Sequence, residues 1–486
     1  MSEGKQPHVY SGATPGEVSR EVEILVRFEE KGLPLEELSR LIDRHLVPNL
    51  MNYDLPVFQS LFNAFPEEGA LLGGRVALRY NQGVTNWQVS PGGTMLEEMC
   101  GRALCRLFGL AGTADATFMY CGTYANQQAV YMALHRFAER CGFSLAEQGI
   151  AGFGDPSRLA VLASANAHFS LRHAVRMLGL GERSLIAVPV DRDQKMNIEH
   201  LCNLAAKLKA TRDIFCITLT AGTTTSGSVD PILPALPVAG ELGSWLHVDG
   251  AYGLAYSLVP ECRALFAGIE RADSVCWDPH KQMGVPIPNS VLFVRDRNDF
   301  GRMSVHSSYF NRPDDPEPNP GMKSAPSTRP LAALPLVASI RHQGLAGVVE
   351  RLRAPLAAVR ALYEKIKRDP EIELGPEPDT GILCFRVIPQ VQPAGRKPAE
   401  GETSGANAEN EFEDMPEGFS EKDLERLQQL VYQKIKAEGR RSISTTRLDG
   451  RTVLRLVANS PRVTAEALLE SVADIKAAGR AAAAAL

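Results

Sequence analysis

The chain has 486 residues, 44% of them apolar and 22% charged, with a formal net charge of -5. That length supports a large buried core in more than one domain, and the mild acidity argues against nucleic-acid or anionic-membrane partners and for a small-molecule one. The nine cysteines form no Cys-x-x-Cys pair. Several, among them Cys216, Cys276 and Cys384, fall in apolar runs, which reads as reduced core thiols in a cytoplasmic protein.

The opening residues, "MSEGKQPHVYSGATPGE", carry no apolar stretch of a secretory signal, and no segment reaches the length of a membrane span. Residues 1–100 read as helical, from the spacing in "EVEILVRF" and "LEELSRLIDRHLVPNL". "GLPLEELSRL" and "SPGGTMLEEMCGRALCRLFGL" follow breakers and are read as helices with acid-rich first turns. A leading segment too thin to bury itself is expected to pack on a second copy of the chain as a dimerisation segment.

Over 101–345 short apolar runs alternate with helical periodicity. Strands are predicted in "TFMYC", "LAVLAS", "LIAVPV", "IFCITLTA", "SWLHVDG", "ADSVCWD" and "SVLFVRD", and helices in "NQQAVYMALHRFAER", "SLRHAVRMLGL", "NIEHLCNLAAKLKA" and "ILPALPVAGEL". Such alternation predicts an α/β domain whose sheet is mixed but mostly parallel and covered on both faces, with ligands at the carboxyl ends of strands. Residues 346–486 read as a smaller C-terminal α+β domain: a long helix, strands in "IELG", "GILCFRVIP" and "RTVLRLVANS", and a helix at "SEKDLERLQQLVYQKIKAEG". Within it, 390–419 has the Pro, Gly, Glu and Ser content of a disordered insertion.

Four strand-end loops carry candidate chemistry, and each also has a plain structural reading. In "YCGTYANQQAV", Gly122 and Thr123 stand at a helix start, where free N-H groups suit a phosphate or merely cap the helix. In "TAGTTTSGSVDPI", Thr223 and Thr224 can bond a ligand or hold their own turn. In "WLHVDGAYG", Asp249 ends a strand beside small Gly250 and Ala251, leaving room for something flat. No second carboxylate or His-x-x-x-His spacing accompanies it, so a metal site is weakly supported. In "DSVCWDPHKQMGVP", Lys281 is a solvated end residue or an amine of depressed pKa that forms a Schiff base with an aldehyde cofactor. Pyridoxal phosphate needs a phosphate cradle, an acid for its ring nitrogen, a flat slot and a lysine at one sheet edge, and these loops supply all four.

On these motifs the sequence resembles the pyridoxal-phosphate-dependent group II amino acid decarboxylases, which include glutamate, cysteine sulfinate and aromatic amino acid decarboxylases. "HVDGAYG" is similar to the family's His-Val-Asp-Ala-Ala-Tyr/Trp-Gly, and "WDPHKQMGV" to the Trp-Asn-Pro-His-Lys-Met-Met-Gly-Val of glutamate decarboxylases. "NWQVSPGGTMLE", "AHFSLRHAVRMLGLG", "AGTTTSGSVDPI" and "VLRLVANSP" extend the likeness in order over roughly residues 50–475. The resemblance implies a fold-type I large domain, a homodimer, and an L-amino acid substrate with a slight lean to glutamate, aspartate or cysteine sulfinate.

Carried over by position, the resemblance makes Lys281 the carrier of the cofactor and Asp249 the acid that keeps its ring nitrogen protonated. It places His168 on one ring face and Ala251 under the other, with Gly122, Thr123 and His280 at the phosphate and Thr223 near the ring. Tyr309, in a Pro-, Gly- and Ser-rich stretch with the content of a lid, matches the tyrosine that protonates Cα. Arg455 matches the arginine that holds the substrate α-carboxylate. Outside the resemblance, His168 reads as a core histidine, Tyr309 as a surface aromatic and Arg455 as half of an ion pair. Tyr124, Gln282 and Leu55 depart from the family pattern near the pocket and put the substrate in question. A carbon-carbon lyase, an aldehyde-forming enzyme and a non-catalytic binding homologue are the rivals.

Overall fold

The computed structural model describes residues 8–307, 311–312, 316–389 and 419–484. Tyr309 and residues 390–418 of the expected insertion lie outside the described residues. Four helices lead: α1 (Pro15–Val22), α2 (Leu35–His45), α3 (Glu68–Tyr80) and α4 (Pro91–Leu107). "EVEILVRF" keeps α-geometry only to Val22 and continues as one 3-10 turn, Glu23–Val26. The acid-rich first turn expected of α4 is absent. That helix opens on Pro91, whose missing N-H costs nothing at a helix start. Its acids lie one turn later and are buried, Glu97 pairing with Arg329 and Glu98 with Lys323 at 2.7 Å.

Seven strands, β1 (Asp115–Met119), β2 (Leu159–Ser164), β3 (Leu185–Val188), β4 (Asp213–Thr220), β5 (Trp245–Asp249), β6 (Ser274–Trp277) and β7 (Ser290–Val294), form one sheet in the order β1-β7-β6-β5-β4-β2-β3. Only β7 runs against the others, pairing antiparallel with both β1 and β6. Between the strands lie α5 (Gly122–Arg140), α6 (Leu145–Gln148), α7 (Ser170–Met177), α8 (Ile198–Leu208) and α9 (Ile232–Leu242). All but the half-exposed edge strand β3 are buried on both faces, which is why they read as apolar runs. Alternate residues face opposite sides: Ala160 and Leu162 join the core under α4, α8 and α9, whereas Leu159, Val161 and Ala163 join the core under α5 and α7. The same period puts Trp245, His247 and Asp249 on the α5 side of β5.

A long helix, α10 (Ala333–Ile366), breaks at Gly344 (φ 66°, ψ 166°), beside the boundary read from sequence. A second, antiparallel sheet follows in the order β10-β11-β9-β8, built from β8 (Ile372–Leu374), β9 (Ile382–Val387), β10 (Ser444–Leu448) and β11 (Arg451–Val457). α11 (Glu421–Glu438), α12 (Ala465–Ala483) and the end of α10 cover one face through Leu383, Phe385, Leu454 and Leu456. Arg455 therefore projects from the opposite face, paired in register with Cys384, toward the large sheet. The leading segment is not wholly helical. Residues 57–59 run beside Ser442 as a parallel bridge, with Val57, Gln59, Ser442 and Val457 exchanging backbone hydrogen bonds of 2.8–3.0 Å. Among the described residues no helix is long and apolar enough to cross a membrane.

Candidate active site

The loops leaving β1, β4, β5 and β6 at their carboxyl ends enclose a cavity of about 240 Å³, as the switch-point rule for open α/β sheets expects. Lys281, Asp249, His168, Ala251, Gly122, Thr123 and His280 all reach it. Phe62 and Asn63 also line it, delivered by the strap that crosses to the small sheet. Sequence reading missed both, because that strap has neither helical nor strand periodicity.

Asp249 forms the cavity floor and is fully wired. Its Oδ2 accepts from Asn126 Nδ2 (2.7 Å), and Oδ1 accepts from the Ala251 N-H (3.1 Å) and shares the Cys276 thiol (3.3 Å) with Asn126 Oδ1 (3.1 Å). A carboxylate can only accept here, so the Asn126 amide nitrogen faces it and Oδ1 of Asn126 accepts from His247 Nε2 (2.9 Å). His247 Nδ1 then accepts from the Ser274 hydroxyl (2.8 Å), which itself accepts from Trp245 Nε1 (2.8 Å). Every donor in this chain points toward Asp249. Burial alone acts to raise the carboxyl, but the charge of Lys281 and the Asn126 bond outweigh it and hold the group below its ordinary value. Burial also pushes His247 down to about 4, consistent with the neutral tautomer the network requires.

His168 sits on the loop after β2. Its Nδ1 accepts the Ser170 N-H (3.2 Å), which leaves the proton on Nε2, and burial lowers its affinity for a second proton. An uncharged, fixed imidazole of this kind can lie flat against a ring. Across the cavity, α5 begins at Gly122 with no side chain capping it, so its leading N-H groups are free for an anion. A Cβ at Gly122 would lie 2.9 Å from Asp278 Oδ2 and 3.1 Å from the Ala251 Cβ, so only glycine fits. His280 donates from Nδ1 to the Asn289 carbonyl.

Lys281 departs from expectation in its charge. The sequence reading anticipated an amine of depressed pKa, and burial does act in that direction. Asp278, whose Oδ2 lies 3.1 Å from Nζ, and Asp249 outweigh it, so the amine is raised instead. Asp278 was missed as a site residue, although its letter was visible: "WDPHK" has an acid where the glutamate decarboxylase motif has Asn. Thr223 is the second correction. Its hydroxyl is fully buried against Ser226 Oγ (2.9 Å) and holds its own turn, while Thr220, Gly222 and Thr224 line the cavity in its place.

Arg455 is buried, yet no acid pairs with it among the described residues, so the ion-pair alternative does not hold. Its guanidinium donates to the carbonyls of Thr224 and Ser60 and to Ser444 Oγ, all uncharged. Both cations lie over the Phe62 ring, the Arg455 guanidinium carbon 5.3 Å and Lys281 Nζ 5.6 Å from its centroid. Of the three departures from the family pattern, Tyr124 is exposed, and Leu55 is half-buried in a turn closed by the Phe58 N-H. Gln282 is buried and donates to the Tyr252 carbonyl (2.5 Å), beneath the cavity.

Two buried polar atoms of the wall, Thr220 Oγ1 and Asp278 Oδ1, have no hydrogen-bond partner among the described residues. With the uncapped helix start, the glycine cradle and the wired acid, the residues fit a flat, phosphorylated aldehyde. Lys281 would carry its aldehyde carbon, Asp249 would meet its ring nitrogen, and Gly122, Thr123 and His280 would surround its phosphate.

Comparison with known proteins agrees. L-2,4-diaminobutyrate decarboxylase of Rhizobium meliloti (strain 1021) is 32% identical over 313 residues, 63% of this chain and 60% of that protein. The chain thus spans less than two thirds of that relative. Acidic amino acid decarboxylase GADL1 of Homo sapiens is 30% identical over 66% of this chain and 61% of its own length. In fold, the mouse CSAD structure in apo form superposes with a TM-score of 0.83 at 24% identity, covering 97% of this chain and 94% of that one. The family model described as the pyridoxal-dependent decarboxylase conserved domain matches residues 15–388, and the chain belongs to that family.

Proposed function

We propose that this chain removes the α-carboxylate of an L-amino acid as carbon dioxide and releases the corresponding amine. When bound, pyridoxal 5'-phosphate supplies the sink for the electron pair left on Cα. Lys281 would hold the cofactor's aldehyde carbon. Asp249, kept ionised by the Lys281 charge and its donors, would hold a proton on the ring nitrogen and so strengthen the sink. His168 and Ala251 confine the ring between them. Gly122, Thr123 and His280 hold the phosphate at the uncapped start of α5. Arg455 takes the substrate carboxylate, for which a buried guanidinium without an acid partner is suited. Tyr309 returns a proton to Cα.

The observation that carries this reading is the meeting of Lys281 and Asp249 in one cavity beside an uncapped helix start. The division into 1–100, 101–345 and 346–486 is part of the reading, supported by the two separate sheets and the break at Gly344. So is a homodimer: α1 and α2 bury no residue, and Phe28 and Leu35 are 93% and 84% exposed. Buried unpaired thiols support a cytoplasmic setting. Acidic substrates come first, on the motif likeness and on relatives named for acidic amino acids and cysteine sulfinic acid; 2,4-diaminobutyrate is the competitor that other relatives name.

The test is a carbon dioxide release screen over the L-amino acids, glutamate, aspartate, cysteine sulfinate and 2,4-diaminobutyrate included, with added cofactor. Equal yields of carbon dioxide and amine are expected. Aldehyde in place of amine assigns the oxidative alternative, and no release from any substrate leaves the carbon-carbon lyase or the binding homologue.

A further inference from the structure

Resting on Lys281 as the carrier, we propose that Asp278 is a counter-ion that stores a proton on the Lys281 amine and so sets the pH above which the lysine captures the cofactor. Asp278 leaves β6 with its N-H bonded to the Ala251 carbonyl (3.0 Å), and its own carbonyl accepts the Lys281 N-H (3.0 Å). That turn fixes both side chains on one side, with Oδ2 held 3.1 Å from Nζ. The Asp278 side chain is 4% exposed, and Oδ1 has no hydrogen-bond partner among the described residues.

A buried carboxylate with one oxygen unpartnered depends on its nearby cation. Breaking such a pair leaves an uncompensated charge. Lys281 is also faced by Asp249 from β5, the Cys276 thiol from β6, His168 from the loop after β2 and His280 from its own turn, with Arg455 over the same Phe62 ring. Of the two acids, Asp249 already accepts three hydrogen bonds, which spread its charge, whereas Asp278 accepts none from backbone or amide. Burial tends to strip the lysine of its proton, and Asp278, ahead of Asp249, reverses that tendency.

The chemical consequence is direct. Lys281 must shed one proton to solvent before its nitrogen bonds the aldehyde carbon. The aldehyde oxygen then leaves as water, with no net oxidation or reduction. While Asp278 holds the ammonium, the nitrogen lone pair is withheld.

The full chain, stripped of cofactor, is mixed with pyridoxal 5'-phosphate or with unphosphorylated pyridoxal over a pH series and quenched with borohydride. The initial rate of adduct formation on Lys281 is read by peptide mass spectrometry. Asp278→Asn is expected to lower the pH of half-maximal rate by about one to three units with both aldehydes. Asp278→Glu, which keeps the charge, stays near wild type. Asp278→Ser repeats the neutral case, so a folding defect in one variant does not stand in for the result. An unshifted midpoint in the neutral variants overturns the proposal. So does a shift seen only with the phosphorylated aldehyde, which assigns Asp278 to the phosphate. A wild-type adduct on another lysine overturns the carrier assignment itself, an outcome distinct from a Lys281 adduct with an unmoved midpoint.

Discussion

Asp249 and Asp278 are buried carboxylates at the ends of neighbouring strands, facing one cavity, and their surroundings differ in kind. Asp249 ends a chain of donors four residues deep, Asn126, His247, Ser274 and Trp245, each satisfied by the next. Asp278 leans chiefly on Lys281, with His280 Nε2 farther off at 3.6 Å, and leaves one oxygen bare. A carboxylate wired through the core keeps its donors whatever happens in the cavity, although the Lys281 charge also helps to hold it ionised. One tied to a reactive amine changes its environment whenever that amine gains or loses a proton or a bond. The β5 end thus behaves as fixed scaffold, and the β6 end as the part that responds.

The harshest way to break the contrast is Lys281→Ala. Removing the carrier is expected to lower carbon dioxide release by about four orders of magnitude or more. It also strands Asp278, so thermal unfolding is expected to show a destabilisation of about 3 kcal/mol. Full stability in this variant would mean that Asp278 does not depend on the lysine. Asp249→Asn comes second. It keeps the shape of the floor but removes the charge, with an expected loss of about two to three orders of magnitude in kcat. Borohydride labelling of Lys281 should survive, because the substitution leaves intact the backbone bond from Asp278 to the Ala251 carbonyl that holds the lysine's turn. Loss of labelling together with activity would show the two ends to be one unit.

The contrast also explains what the sequence could show. The strands of the large sheet were legible because, apart from the half-exposed edge strand β3, both faces are buried and their residues are mostly apolar. β10, "STTRL", was not. It is a short edge strand whose residues are mostly half-buried, and neither composition nor alternation betrays it. Lys281, Asp249, Gly122 and Thr123 stand at or just past strand ends that the topology brings to the cavity, so a strand-by-strand reading located them, whereas His168 and His280 came from the family resemblance. Phe62 and Asn63 arrive on an irregular strap, whose place depends on backbone bonds to Ser442 and Val457 far along the chain. Glu97 and Glu98 looked like helix-start acids because nothing local names Arg329 and Lys323 as their partners. Asp278 is the sharpest case: its letter was in plain view, but its meaning lies in a distance to Nζ and an oxygen without a donor.

Gly122→Ala tests the space between the two ends. The added Cβ would press on Asp278 Oδ2 at 2.9 Å and on the Ala251 Cβ at 3.1 Å, both held by short backbone links. The expected result is a weakening of cofactor affinity by about tenfold or more, roughly the 1 to 3 kcal/mol of an overpacked site. Equilibrium dialysis of the cofactor checks it, and unchanged affinity would show that the helix start gives way.

The smallest effect is the most specific to the wired end. His247 titrates at about 4 in the folded chain, against an ordinary 6.5. Between those values the unfolded chain holds a proton that the folded chain refuses, so stability rises with pH across the window. The contribution is complete above about pH 6.5 and is lost as pH falls toward 4. At its limit it is worth on the order of 3 kcal/mol, with a slope of at most about 1.4 kcal/mol per pH unit. His247→Gln removes the titration while retaining a polar side chain. Its Tm should lie below wild type at pH 7, because the chain to Asp249 is cut, yet fall less steeply from pH 6.5 to 4. The slopes rather than the levels decide the matter, since any buried substitution lowers Tm. Equal slopes would mean that His247 accepts a proton in place, which the Asn126 and Ser274 bonds forbid as long as Asp249 is held as the structure holds it.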